Sequence, residues 1–181
     1  MFKVLDPICQ PTRATKYSAM VDLYARESVV IGAGETKIVP LGVKIDLTPI
    51  QVQMTKMCLV RLDEIPVEEL THNHYEYHEF MSSHYLELHP RSSLRVKGLI
   101  IGVGVIDLDF PDEIGLIVHN PIHNENFSSV VQIGEEAFKY SHYTINKGDK
   151  VAQITLMEHK GYLMGIESDV ERSGGFGSTG I

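Results

Sequence analysis

The sequence predicts an all-β domain, either closed as a barrel or folded as a jelly roll, and three observations carry that reading. Short runs rich in Val, Ile and Leu recur between turn-forming residues. None of them sustains a 3.6-residue period. Ten such runs follow one another closely, which favours architectures that leave few exposed strand edges. At 181 residues the chain suits one compact domain, since a domain occupies roughly 100–200 residues. Hydrophobic residues make up 43% and charged residues 22%, a balance that supports a core and opposes overall disorder.

Strands are expected at 21–25, 28–31, 37–39, 43–47, 58–62, 85–89, 99–105, 114–119, 129–133 and 150–157. Pro66 ahead of two glutamates suits the start of a helical turn over 66–70, and a second short helix is expected over 135–140. Two stretches read as additions to the core, at about 53–84 and 124–143. The first contains THNHYEYHEFMSSH, with His72, His74, His78 and His84 close together. An HxH pair on a strand puts both imidazoles on one face, as a Zn, Ni or Cu site would need. The plainer reading, a polar surface insertion, takes precedence. The second stretch reads as a long loop or an extra hairpin.

A net charge of −8 opposes non-specific attraction to nucleic acid or anionic membranes, so any basic residues that grip phosphate must act locally. Two distant cysteines, Cys9 and Cys58, argue against a disulfide framework or a structural zinc. With no export signal and no run near the ~20 apolar residues of a membrane span, a cytoplasmic protein is expected.

Four stretches have sharper chemical content. In HPRSSL, Arg91 offers a planar fork of donors to a phosphate, with the hydroxyls of Ser92 and Ser93 beside it; a plain surface turn reads the same way. GVGVIDLDF ends an apolar strand in Asp107 and Asp109, two residues apart and on one face if the strand persists. One of them could hold a water and take its proton, or both could simply cap a hairpin. Gly102 and Gly104 would let a ligand approach the backbone. In NKGDKVAQITLMEH, Gln153 lies inside an apolar run, facing solvent or spending its amide on a ligand or neighbour. The terminal ERSGGFGSTGI is no Walker A loop, having no Lys after its glycines. It offers backbone N–H groups, Arg172, the hydroxyls of Ser178 and Thr179, and the stacking ring of Phe176.

Taken in order, MVDLYA at 20–25, PRSSL at 90–94, GVIDLDF at 104–110, GDKVAQ at 148–153 and GGFGSTG at 174–180 resemble the five motifs of the homotrimeric dUTPases. The resemblance spans the chain from about residue 16 to its end, leaving out the two additions. It implies a distorted jelly-roll-like β-barrel protomer over 1–181, with one or two short helices and a swapped or extended C-terminal arm over about 168–181. It further implies three active sites at the subunit interfaces of a homotrimer, hydrolysing dUTP to dUMP and diphosphate with Mg²⁺.

Position by position, the resemblance makes Asp107 the general base for the attacking water. Phe110 takes the place of a tyrosine that packs under the deoxyribose. Gly104, Val105 and Ile106, with Gly115 on the partner strand, read uracil through their backbone. Arg91, Ser92, Ser93, Gln153 and Arg172 contact phosphates. Phe176 stacks on the base while Gly177, Ser178 and Thr179 close over the γ-phosphate, from a neighbouring subunit. Asp22 holds through water a Mg²⁺ that the triphosphate mainly chelates.

The chain departs from the family in having Met20 for a glycine, Pro111-Asp112 for a basic residue and glycine, and Lys150 for an arginine. Its link from Arg172 to Phe176 is one residue shorter. The 53–84 addition is suited to covering the site, joining subunits or taking a protein partner. Two rival readings use the same pocket: a dCTP deaminase or a pyrophosphatase that also accepts dCTP, and a non-catalytic nucleotide-binding regulator.

Overall fold

The computed structural model describes residues 1–59, 72–121, 129–133, 136–140, 142–166, 170 and 174–175. In chain order its elements are β1 (Phe2–Val4), β2 (Val21–Tyr24), β3 (Val29–Gly32), β4 (Thr36–Pro40), β5 (Val43–Ile45), α1 (Thr48–Leu59), α2 (His72–Ser83), β6 (His84–Pro90), α3 (Ser92–Val96), β7 (Gly104–Asp107), β8 (Gly115–His119), β9 (Ser129–Ile133), β10 (Glu136–Tyr140), β11 (His142–Ile145) and β12 (Lys150–Glu158). The chain is therefore predominantly β with few helices, as expected. Among the described residues every strand pairing is antiparallel.

Alternation is clear in several of these strands. In β8, Leu116 and Val118 are buried while Ile117 faces out; in β3, Val29 and Ile31 are buried while Val30 faces out. The largest sheet has the order β2-β12-β6-β7, and the remaining strands pair as β1-β5, β3-β11, β4-β8 and β9-β10. One face of the large sheet sends Leu23, Ile154, Leu86 and Leu88 into a single hydrophobic cluster, where they meet Ile31, Val39, Val43, Leu116, Val118 and Ile145. Burying each such side chain contributes about 1.5–3 kcal/mol, which is what holds the large sheet and the β1-β5, β3-β11 and β4-β8 ladders around one core.

Several local expectations are corrected. Residues 136–140 form β10, not a helix: Glu136 lies opposite Ile133 and Tyr140 opposite Ser129, so cross-strand pairing overrides the helical preference of Glu, Ala and Lys. The addition around 124–143 thus contributes a hairpin. Positions 58 and 59 end α1, not a strand, and the strand expected from residue 99 begins only at Gly104. The helical turn expected over 66–70 lies outside the described residues. The HxH histidines start α2, and positions i and i+2 share a face on a strand but not on a helix. His84 opens β6, its Nδ1 within hydrogen-bond reach of Ser83 Oγ at 2.9 Å and Phe80 O at 3.1 Å. β1, β11 and both twelve-residue helices were not expected at all. No helix among the described residues is long and apolar enough to cross a membrane.

The turn between β4 and β5 depends on Gly42. Its φ is 64°, its N–H donates to Glu113 Oε1 at 2.7 Å, and its carbonyl accepts from Leu5 N–H at 2.8 Å. A methyl group there would sit 2.4 Å from the Sγ of buried Cys9. Left-handed backbone costs a non-glycine residue about 1–2 kcal/mol, and overpacking adds about 1–3. Gly42→Ala is therefore expected to lower the unfolding free energy in urea by about 2–4 kcal/mol; an unchanged midpoint would reject this account.

Candidate active site

Two groups of side chains gather on the large sheet and beside it. The first surrounds a slot. β7 pairs with β6 and β8 pairs with β4, so among the described residues the two strands share no ladder. They are joined further along by the Ile100–His119 bridge, whose two N–H···O bonds are both 2.9 Å. Beyond that bridge the strands splay, and the gap is a cavity of about 370 Å³ lined by Leu88, Gly102 to Ile106, Phe110 and Ile114 to Ile117. The facing strand edges turn main-chain donors and acceptors towards the gap, a geometry suited to a flat polar ring.

Gly104, Val105, Ile106 and Gly115, named from sequence as base-reading positions, all line this slot. So do Leu88, Ile114 and Leu116, which carry no chemical signal in the sequence because they look like ordinary core residues. Asp107 ends β7 and is exposed. Its carbonyl accepts from Phe110 N–H at 3.1 Å, and this turn folds Phe110 back beneath the slot, where its ring is 7% exposed. The strand does not persist to Asp109, which lies in the turn and is also exposed.

The second group centres on Asp22. Buried at 1% exposure on β2, its carboxylate accepts from Arg91 Nη1 at 2.5 Å, Lys150 Nζ at 3.1 Å and Gln153 Nε2 at 3.0 Å. Register explains the meeting: Gln153 lies opposite Asp22 on one side and His89 on the other, and Arg91 follows β6 with its N–H donating to Val151 O at 3.0 Å. The β2-β12 register shifts between Lys150 and Ala152, near the point where the lysine turns in. The amide of Gln153 is thus spent on a neighbour rather than on solvent.

Burial pushes the Asp22 carboxyl up, but hydrogen bonds from Gln153 and Lys150 and the charges of Arg91 and Lys150 outweigh it and hold the group below its ordinary range. Hydrogen bonds to Asp22 and Tyr24 raise Lys150 in turn. Ser92 and Ser93 open α3 and are exposed beside this cluster.

The fold keeps the two groups apart. Gln153 lies opposite His89, whereas Asp107 lies opposite Tyr85 and through it Met157. Four residues along a strand and two strands across amount to roughly 15 Å. Arg172, Phe176, Gly177, Ser178 and Thr179 lie outside the described residues. Gly174 is buried, and Gly175 rests against the Phe110 ring of its own chain.

Among the described residues no group of three or more His, Cys, Asp or Glu could hold a metal ion. Asp22, Arg91, Lys150 and Gln153 instead form a donor-rich surface suited to an anion, including one that brings its own cation.

Known proteins give the same direction. The dUTPase family profile matches residues 78–128, which run from α2 past the slot. The deoxyuridine 5'-triphosphate nucleotidohydrolase of Variola virus is 27% identical over 175 residues, covering 94% of this chain and 85% of the viral protein. Among solved structures, the dUTPase from phage phi11 of S. aureus superposes with a TM-score of 0.58 at 20% identity, over 98% of this chain and 97% of that one. A variant of that phage enzyme coordinates a structural Mg(II) ion. The dUTPase from Streptococcus mutans superposes with a TM-score of 0.54 at 22% identity, over 88% of this chain and 95% of its own. At these identities the superpositions establish the fold.

Proposed function

We propose that this chain is a dUTPase and that it hydrolyses dUTP to dUMP and diphosphate, a reading supported by its similarity to the dUTPase profile and to the Variola virus enzyme. The observation that carries the reading is the splayed β7-β8 slot, with the exposed Asp107 directly following the lining residue Ile106 on β7. A pyrimidine ring entering the slot meets backbone donors and acceptors from both sides. Those fixed dipoles suit uracil, mismatch the exocyclic amine of cytosine and leave a 5-methyl group no room. Phe110 offers the deoxyribose a flat apolar floor.

In the reaction, Asp107 takes a proton from a water whose oxygen bonds to the α-phosphorus. The bond from that phosphorus to the bridging oxygen breaks, and diphosphate leaves with the electron pair. Arg91, Ser92, Ser93 and Gln153 hold phosphate oxygens, with Arg172 and the 176–179 segment closing over the far end. A Mg²⁺ brought in with the triphosphate would supply charge neutralisation at the phosphates, and Asp22 would hold it through water. A carboxylate accepts about four hydrogen bonds. Arg91, Lys150 and Gln153 use three of those on Asp22, which leaves room for one water-mediated contact to the cation.

One protomer cannot present both groups to a single α-phosphate across roughly 15 Å. That separation supports a homotrimer whose sites combine the slot of one chain with the Asp22 cluster of the next. Light scattering should give three chains per particle. Pairing two inactive variants, Asp107→Asn and Arg91→Ala, in one particle should restore hydrolysis.

Incubation with Mg²⁺ and dUTP, dCTP, dTTP or UTP tests the activity. Diphosphate should form from dUTP at least ~100-fold faster than from the others, as expected where mismatched polar groups reject the wrong base. Diphosphate from dCTP at a comparable rate would favour the broader pyrophosphatase, and none from dUTP would reject the proposal.

A further inference from the structure

The network around Asp22 extends beyond its three donors. Lys150 lies opposite Tyr24 in the β2-β12 register, and the register shift just after it lets the side chain lean towards Asp22. Its ammonium stands 3.1 Å from Asp22 Oδ2 and 5.6 Å from the centre of the Tyr24 ring, and it donates to the Tyr24 hydroxyl as well. An ammonium only donates, so the phenol oxygen accepts from it, and the phenol O–H is left to donate to Thr12 Oγ1 at 2.6 Å. Thr12 is itself pinned beside β2. Asp22 N–H donates to its carbonyl at 2.7 Å, and its own N–H donates to Asp22 O at 3.2 Å. The segment before β2 therefore holds Tyr24, Tyr24 holds Lys150, and Lys150 meets the carboxylate.

The two oxygens of that carboxylate are used differently. Arg91 Nη1 and Gln153 Nε2 both donate to Oδ1, whereas Lys150 donates to Oδ2. A guanidinium beside a carboxylate tends to close a two-point fork on both oxygens. With Lys150 on Oδ2, Arg91 is kept to one of them. Its remaining N–H groups can then turn to a phosphate, which the 33% exposure of its side chain allows.

We infer that Tyr24 is a positioning residue for the phosphate grip: backed by Thr12, its hydroxyl holds Lys150 on Asp22 Oδ2 and so keeps Arg91 open to the triphosphate. The inference rests on the dUTP-hydrolase reading only for the identity of the anion. The base slot lies beyond β7, at the opposite edge of the β2-β12-β6-β7 sheet, and takes no part in it.

Tyr24→Phe removes the hydroxyl and keeps the ring. It should raise KM for dUTP about 10-fold, the worth of one hydrogen bond to a charged group, with kcat within about threefold of wild type. The dissociation constant of magnesium tripolyphosphate, read by calorimetry, should rise by the same factor. Deoxyuridine carries no phosphate, so its inhibition constant should stay within about twofold, as expected for a distant and independent site.

Lys150→Met should weaken tripolyphosphate binding too, and adding Tyr24→Phe to it should change nothing further, because Tyr24 acts through Lys150. Thr12→Val should give a smaller loss in the same direction, and Thr12→Ser, which keeps the hydroxyl, should restore the affinity. If Tyr24→Phe fails to fold, the two Thr12 variants decide the same question.

Unchanged tripolyphosphate binding in Tyr24→Phe overturns the inference. Equal weakening of tripolyphosphate and deoxyuridine does so as well, since that marks a general loosening, and so do losses that add in the double variant. A wild-type protein that releases no diphosphate from dUTP removes the hydrolase reading alone, because the tripolyphosphate titration still reads what Tyr24 does.

Discussion

Asp107→Asn is expected to lower kcat for dUTP about 10²- to 10⁴-fold, the range general-base removal spans, while leaving the affinity for dUTP within a few-fold of wild type. The physical reasons are local. Asp107 sits at the exposed end of β7, where a water can reach it, and asparagine copies its shape without accepting a proton. The slot is lined by main chain and by side chains such as Leu88, Phe110, Ile114 and Leu116, and Asp107 is not among its lining residues. Ground-state binding should therefore survive while the barrier rises, a pattern of lowered kcat with preserved dissociation constant. Diphosphate release and calorimetric titration with dUTP read the two quantities separately. Asp109→Asn, in the turn two residues on, should keep turnover within about twofold of wild type, since surface substitutions away from the reacting atoms usually have small effects. Equal losses in both variants, or full turnover in Asp107→Asn, would reject the assignment of the base.

β8 and the long β12 were legible in the sequence as short runs rich in aliphatic and β-branched residues, GLIVH and KVAQITLME, bounded by turn formers. α1 and α2 were not, since TPIQVQMTKMCL and HNHYEYHEFMSS scatter their apolar residues without a clear stripe. The Thr48-Pro49 pair was a usable start signal, because proline at the first turn suits a helix. β10 misled for the opposite reason: EAFKY carries helix formers, and only its partner strand makes it β.

At the site, the motif residues were legible one at a time, but their mutual distances were not. Nothing in the spacing of Asp22, Arg91 and Gln153 says that they meet through antiparallel register, or that Asp107 stands roughly 15 Å away on the same sheet. Nor could a glycine in a glycine-rich tail announce that it rests on Phe110.

Asp22→Asn is expected to weaken both the fold and the grip on the triphosphate. The substitution keeps the shape but replaces an acceptor oxygen with an N–H₂ facing three donors, from Arg91, Lys150 and Gln153. Removing one partner of a fully buried charge pair costs about 3–5 kcal/mol. Here the Arg91 and Lys150 side chains are 33% and 43% exposed and can rehydrate. A loss of about 1–3 kcal/mol in urea unfolding follows. Arg91 and Gln153 would lose the carboxylate that aims them, so kcat/KM for dUTP should fall about 100-fold, as expected when positioned donors drift by an ångström.

Acid gives a second readout. The folded Asp22 carboxyl titrates below its ordinary value of 3.8, so as pH falls the unfolded chain takes up the proton first. Its stabilisation is complete above that value and disappears as pH drops through the depressed one. The stability gap between wild type and Asp22→Asn should therefore be constant near neutrality and close below about pH 4. A gap that persists unchanged to pH 2, with the melting curves still separated, would mean that the asparagine acts through packing rather than through the lost charge.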